Sequence, residues 1–95
     1  MPFQFEWNTR KASANETKHG VSFEEAITVF ADPLARIFED EEHSETEKRE
    51  LIIGHSGQRN LILVSFVETD DVVRIISARK ATRTERRDYE ENVSS

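Results

Sequence analysis

No cysteine occurs among the 95 residues. Disulfides, thiolate metal sites and thiol redox chemistry are therefore excluded. Glycine is nearly as scarce, with three scattered copies. That leaves no glycine-rich loop to cradle a phosphate and no Gly-x-Ser-x-Gly nucleophile elbow. His19, His43 and His55 are the only imidazoles. They are not spaced as a helical pair, and no HExxH or EF-hand pattern is present, so neither a metal site nor a cofactor is expected. Nor does any apolar run approach the roughly 20 residues of a membrane helix. The opening Met1-Pro2-Phe3-Gln4-Phe5-Glu6 lacks the basic-then-apolar order of an export signal. A soluble, cytoplasmic, single-domain protein spanning residues 1–95, without a membrane partner, is the expectation.

Charge is abundant and unevenly spread. The formal net charge is -6. Yet the stretch from Arg74 to Arg87 sets Arg74, Arg79, Lys80, Arg83, Arg86 and Arg87 against Glu85 alone, a local +5. Concentrated cations on an acidic protein mark a place for an anion or an acidic partner. The preceding VVRIISA reads as a strand, which would deliver Arg74, Ser77 and Arg79 to a rigid surface. Between Glu39 and Glu50 the balance reverses to -5: Glu39, Asp40, Glu41, Glu42, Glu45, Glu47 and Glu50 against Lys48 and Arg49. The two segments either pair with each other or form separate surfaces.

Period-2 alternation of Phe3, Phe5 and Trp7 predicts a short half-buried strand. Asn8 to Lys18 predicts a polar helix, capped by Asn8 and stopped at Gly20. Ser22 and Glu25 form a capping box opening a second helix with Phe23, Ala26, Ile27 and Phe30 on its apolar face. Asp32-Pro33 ends it. Strands are predicted at 34–39, 49–55, 61–67 and 72–79, with turns at 56–59 and 68–71. The 61–67 segment, apolar on both faces except at Ser65, is expected at the sheet centre. Thr82 and Glu85 form another capping box, launching a helix through Tyr89, with fraying from Asn92. The expected fold class is α+β: an antiparallel meander with N-terminal helices packed on one face and a C-terminal helix.

What chemistry remains is that of cations and general acid–base groups. Cleavage of RNA by its own 2′-hydroxyl needs this set. A base takes the hydroxyl proton, cations stabilise the dianionic phosphorane, and an acid protonates the leaving oxygen. Arg49, Arg74, Arg79 and Lys80 are candidate cations; His19, His43, Glu47 and Tyr89 are candidate proton-transfer groups. Each has a structural reading that spacing alone favours. Strand-end Arg and Lys snorkel and pair with carboxylates, His19 suits a helix C-terminus, Tyr89 packs its ring, and Trp7 seals a core edge rather than stacking on a base.

Taken together, Phe5-x-Trp7, Lys11, Asn15, Lys18-His19-Gly20-Val21, Phe23-x-x-Ala26, Phe30-x-Asp32-Pro33, Arg49, Ile53-Gly54, Arg74 to Ala81, Glu85 and Tyr89 resemble the BrnT family over roughly residues 3 to 90. Two positions depart from the pattern: Asn8, commonly aspartate, and Thr46, where glycine is expected in a Gly-Glu-x-Arg run. The resemblance implies a RelE-like ribonuclease toxin of a type II toxin–antitoxin system, arresting translation by RNA cleavage. It also implies a BrnA antitoxin whose ribbon-helix-helix domain carries the pair to promoter DNA. It matches at Lys18, His19, Arg49, Arg74, Ser77, Arg79, Lys80, Glu85 and Tyr89. The candidate site is then catalytic at His19, His43, Glu47, Arg49, Arg74, Arg79 and Tyr89, and RNA-binding at Trp7, Lys18, Ser77, Lys80 and Arg83. RNA would lie on the concave face of the sheet, and an acidic antitoxin segment on the basic surface. The competing hypothesis is a non-catalytic docking module. Direct DNA binding is third, since no recognition-helix motif is evident.

Overall fold

The structure is a computed structural model describing residues 4–43 and 47–94. Phe3, expected in the first strand, and Thr46 lie outside the described residues. The elements in order are β1 (Gln4–Glu6), α1 (Thr9–His19), α2 (Phe23–Thr28), β2 (Arg36–Glu39), β3 (Glu50–His55), β4 (Leu61–Thr69), β5 (Val72–Lys80) and α3 (Arg83–Ser94). A 3-10 turn at Val29–Ala31 prolongs α2 before Asp32. The strands form one mixed sheet in the order β1-β5-β4-β3-β2. Strands β2 to β5 are the antiparallel meander, with β4 central, and β1 adds to β5 in parallel as a fifth strand.

Local chemistry explains the joints. Asn8 Oδ1 accepts from the Lys11 amide at 3.0 Å, and Gly20 closes α1 at φ 71°. The β4–β5 hairpin turns on Asp70 (φ 51°) and Asp71 (φ 68°), the paired left-handed residues of a two-residue turn whose twist matches the strands. Beyond Glu6, β1 no longer covers the edge of β5, and Asn15 of α1 takes its place. Its side-chain amide donates to the Ala78 and Val21 carbonyls at 2.8 and 2.9 Å and accepts from the Ala78 amide at 3.1 Å. A buried edge strand thus keeps its backbone partners through one side chain.

Strand alternation separates two cores. Ile52, Ile62, Val64, Phe66, Val73 and Ile75 face Val21, Phe23, Ala26 and Val29 of the α2 region. On the opposite face Ile53, Leu61 and Leu63 meet Tyr89, with Val93 packed alongside, so the terminal helix lies across the sheet from α2. Val93 is one reason this helix runs on to Ser94, past Tyr89 and past the predicted fraying point. The Ser22–Glu25 box is only half formed. Ser22 Oγ accepts from the Glu25 amide, but the Glu25 carboxylate turns to Ser56 Oγ (2.7 Å) and Asn60 Nδ2 (2.8 Å), organising the β3–β4 turn. At Gly54 an added Cβ would lie 2.8 Å from Ala35 Cβ and 2.9 Å from Asp32 Oδ2, so only glycine admits the Asp32 carboxylate there.

Candidate functional site

Strict alternation along β5 would put Arg74 on the same face as Ile76 and Ala78, and Ser77 on the other. The strand instead carries one extra residue: Ser65 pairs with Ser77 but Phe66 pairs with Ile75, leaving Ile76 as a bulge. Beyond the bulge the faces exchange. Arg74, Ser77 and Arg79 consequently stand in one row, opposite Val67, Ser65 and Leu63, on the α3 face. The neighbouring row of β3 carries Leu51 opposite both Ser65 and Phe38.

Ser77 and Arg79 of this row, with Ser65, Leu63 and Leu51, line a cleft of about 490 Å³. Arg49, just before β3, and Arg79 supply its cations; Ser65 and Ser77 line its polar floor; Phe38, Leu51 and Leu63 form an apolar side. The acidic turn Asp40–Glu42 with His43, and Glu85 of α3, complete its lining. His43 Nδ1 lies 3.2 and 3.1 Å from the two Asp40 carboxylate oxygens. A carboxylate on Nδ1 leaves Nε2 as the ring nitrogen outside this contact, an arrangement that can orient a general base or acid.

The Arg79 guanidinium is held in a fork: NH1 and NH2 donate to Glu85 Oε1 and Oε2 at 2.8 and 2.9 Å, and NH1 also donates to the Lys80 carbonyl at 3.3 Å. Glu85 completes the full capping box with Thr82, accepting from the Thr82 amide while its own amide donates to Thr82 Oγ1. The Arg79 hydrogen bonds, opposed in part by burial and joined by the Thr82 amide, bring the Glu85 carboxyl down to about 2. Reciprocally the Glu85 hydrogen bonds raise Arg79 above its already high ordinary value. These contacts engage three of the five guanidinium donors.

Of the other sequence-predicted residues, Arg74 continues the row but forms an ion pair with Glu47 and does not line the cleft. Lys80 and Arg83 are exposed at the β5–α3 corner, outside it. Trp7 packs edge-on to Phe23 at 6.0 Å beside the first core, and Lys18 and His19 end α1; none of the three reaches the cleft. Tyr89 is buried, its hydroxyl donating to Asp32 Oδ2 at 3.4 Å and its ring edge-on to His55 at 5.5 Å. Burial, with the Asp32 carboxylate adding to it, pushes the phenol up. Burial acts to raise Asp32, but the His55 and Leu34 amides outweigh it and hold the carboxyl below its ordinary value. Sequence reasoning missed Asp40 and Phe38. The Asp40-x-x-His43 spacing was the available signal for the first. Among the described residues no group of three histidines, cysteines or carboxylates is placed to hold a metal ion. No helix of the described residues is long and apolar enough to cross a membrane.

A family model described as the ribonuclease toxin BrnT of type II toxin–antitoxin systems matches residues 7–85. The crystal structure of the Brucella abortus ribonuclease toxin BrnT is similar to the chain, with a TM-score of 0.65 at 23% identity. The match covers 85% of this chain and 99% of that one, and shows a shared fold. No curated protein matches the sequence.

Proposed function

Given that the chain belongs to the BrnT family of ribonuclease toxins of type II toxin–antitoxin systems, we propose that it cleaves RNA without a metal ion, in the cleft between β3, β5 and α3. The observation that carries this reading is the gathering of His43, held by Asp40, with Arg79, held by Glu85, beside Arg49 and Ser77 in one cleft. A phosphodiester seated there would meet the two remaining Arg79 donors and Arg49, which stabilise the charge developing on the phosphorane. His43 Nε2 takes the 2′-hydroxyl proton or returns one to the leaving oxygen. Ser77 holds a non-bridging oxygen or the ribose, Phe38 offers a ring on which a base can stack, and Arg74 extends the cationic row along β5.

In this reading RNA is the substrate and translation arrest follows from its loss, as in RelE-like toxins. The neutralising partner is a BrnA-type ribbon-helix-helix protein, which alone brings the pair to promoter DNA, and the setting is the cytoplasm. The deciding experiment incubates purified protein with RNA in EDTA beside Arg79→Ala and His43→Ala variants. Cleavage by the parent, lowered about 10²-fold or more in each variant, is the expected result. Unchanged cleavage by Arg79→Ala removes that arginine from the scheme.

A second reading draws on the pairing of both row arginines with carboxylates, Arg74 with Glu47 and Arg79 with Glu85. Neutralised cations suit a non-catalytic docking module as well as a nuclease. Intact RNA from a folded parent chain selects that reading.

A further inference from the structure

The large apolar side chains that stand most exposed among the described residues are Leu34 (58%), Ile37 (56%) and Phe38 (47%), all within five positions of one another. Ile37 and Phe38 belong to β2, whose four residues are all exposed. That strand ends the sheet, and no strand of the described residues pairs with its outer edge. An edge of unpaired backbone flanked by apolar side chains is a template for another chain.

The geometry points to a docking surface on which an extended segment of the antitoxin partner adds as a further strand along β2. Alternation decides the form of the occupant. Ile37 pairs with Ile52 on the first-core side, whereas Phe38 pairs with Leu51 on the cleft side, so the two side chains project to opposite faces. A helix lying on either face covers one of them; a strand hydrogen-bonded to the edge places alternate side chains over both. A groove of about 480 Å³ at the start of the edge, where Arg36 and Asn92 stand beside Pro33, Leu34, Ala35, Ile37 and Val93, receives a side chain of that segment with an apolar stem and a polar end. Charge sets its other requirement. Glu39, Asp40, Glu41 and Glu42 follow the apolar residues directly, so the segment is basic where it passes them, the reverse of an acidic phosphate mimic. Phe38 and Asp40–Glu42 also line the cleft, so a strand added here narrows its mouth and couples docking to neutralisation. This inference rests on the antitoxin partner that the family implies and not on the chemistry assigned to the cleft.

Its test combines the purified antitoxin with the parent chain and with a Leu34→Glu/Ile37→Glu variant, neither residue lining the cleft. Two charged replacements at central apolar anchors should weaken the complex about 100-fold or more. RNA cleavage by the folded variant stays at the parent level and is no longer blocked by antitoxin. In the parent complex the outward-facing amides of Ile37 and Glu39, which alternate with those turned to β3, gain protection from hydrogen exchange. Unchanged affinity or unprotected amides overturn the proposal. So does a parent that self-associates through this edge and is made monomeric by the substitutions, or a folded variant that loses cleavage along with binding. A parent that leaves RNA intact counts against the nuclease reading alone, since affinity and exchange are read without cleavage.

Discussion

One face of the sheet meets Val21, Phe23, Ala26 and Val29 across an apolar layer in which Phe5, Phe30 and Phe66 pack edge-on at 5.2 and 5.1 Å. The other face, built from the same strands, has a small apolar cluster under Tyr89 and Val93 and then opens into a charged cleft. The first is closed by buried apolar side chains, and the second gives up apolar burial for Arg49, Ser77, Arg79 and the Asp40–His43 pair. A small domain can present ionisable groups on one side of a sheet only if the opposite side supplies most of the folding free energy. Stability and chemistry should therefore separate by face, and substitutions can test that separation.

The largest expected effect is on the closed face. Phe23 is fully buried among β-strand residues, and Phe23→Ala should cost about 3–5 kcal/mol of stability through lost contacts and the cavity left behind. Urea unfolding reads this directly. At temperatures where the variant remains folded, RNA cleavage per folded molecule should match the parent. A Phe23→Ala chain that is stable but inactive would show that the two faces do not divide the labour as described.

Asn15 sharpens the comparison because it joins the faces. It lies on α1, but its amide holds both backbone groups of Ala78, the residue just before Arg79. Asn15→Ala leaves those buried groups and the Val21 carbonyl without their partner, at a cost of about 1–3 kcal/mol. Because the loosened position adjoins the arginine row, cleavage should also fall, by less than in Arg79→Ala. Stability lost with no change in rate would mean that the bulge and the Glu85 fork fix Arg79 without help from Asn15.

Much of this arrangement was legible in the sequence, where a residue acts through its own neighbours. Asn8, Gly20 and the Thr82–Glu85 box cap as their spacing predicts, and the apolar run at 61–67 is central in the sheet. What escaped depends on partners distant in sequence. The parallel docking of β1 on β5 is not encoded in either strand's alternation. The Glu25 carboxylate leaves its capping box for Ser56 and Asn60, because a buried carboxylate takes the nearest hydroxyl and amide donors. The convergence of Arg74, Ser77 and Arg79 depends on the bulge at Ile76, which no periodicity announces. Pairing of strand-end arginines with carboxylates was expected, but not which ones: Glu47, a proton-transfer candidate, meets Arg74, and the capping residue Glu85 meets Arg79.

The smallest expected effect concerns that last pair and is read by pH. Glu85 titrates at about 2 in the folded chain against an ordinary 4.5, chiefly through its hydrogen bonds to Arg79. A carboxyl with a depressed folded pKa contributes stability that is fully present above its unfolded pKa and is lost as pH falls toward the folded one. The contribution should therefore be complete above about pH 5 and disappear between about pH 4.5 and 2. Both partners are partly exposed, so solvent screening limits it to about 1 kcal/mol. Glu85→Gln should remove this acid-side slope from the stability profile and leave the neutral-pH core untouched. Its effect on cleavage decides what the fork is for. A lower rate with unchanged RNA affinity means that Glu85 positions the guanidinium for the transition state, whereas tighter RNA binding means that the carboxylate competes with phosphate for Arg79.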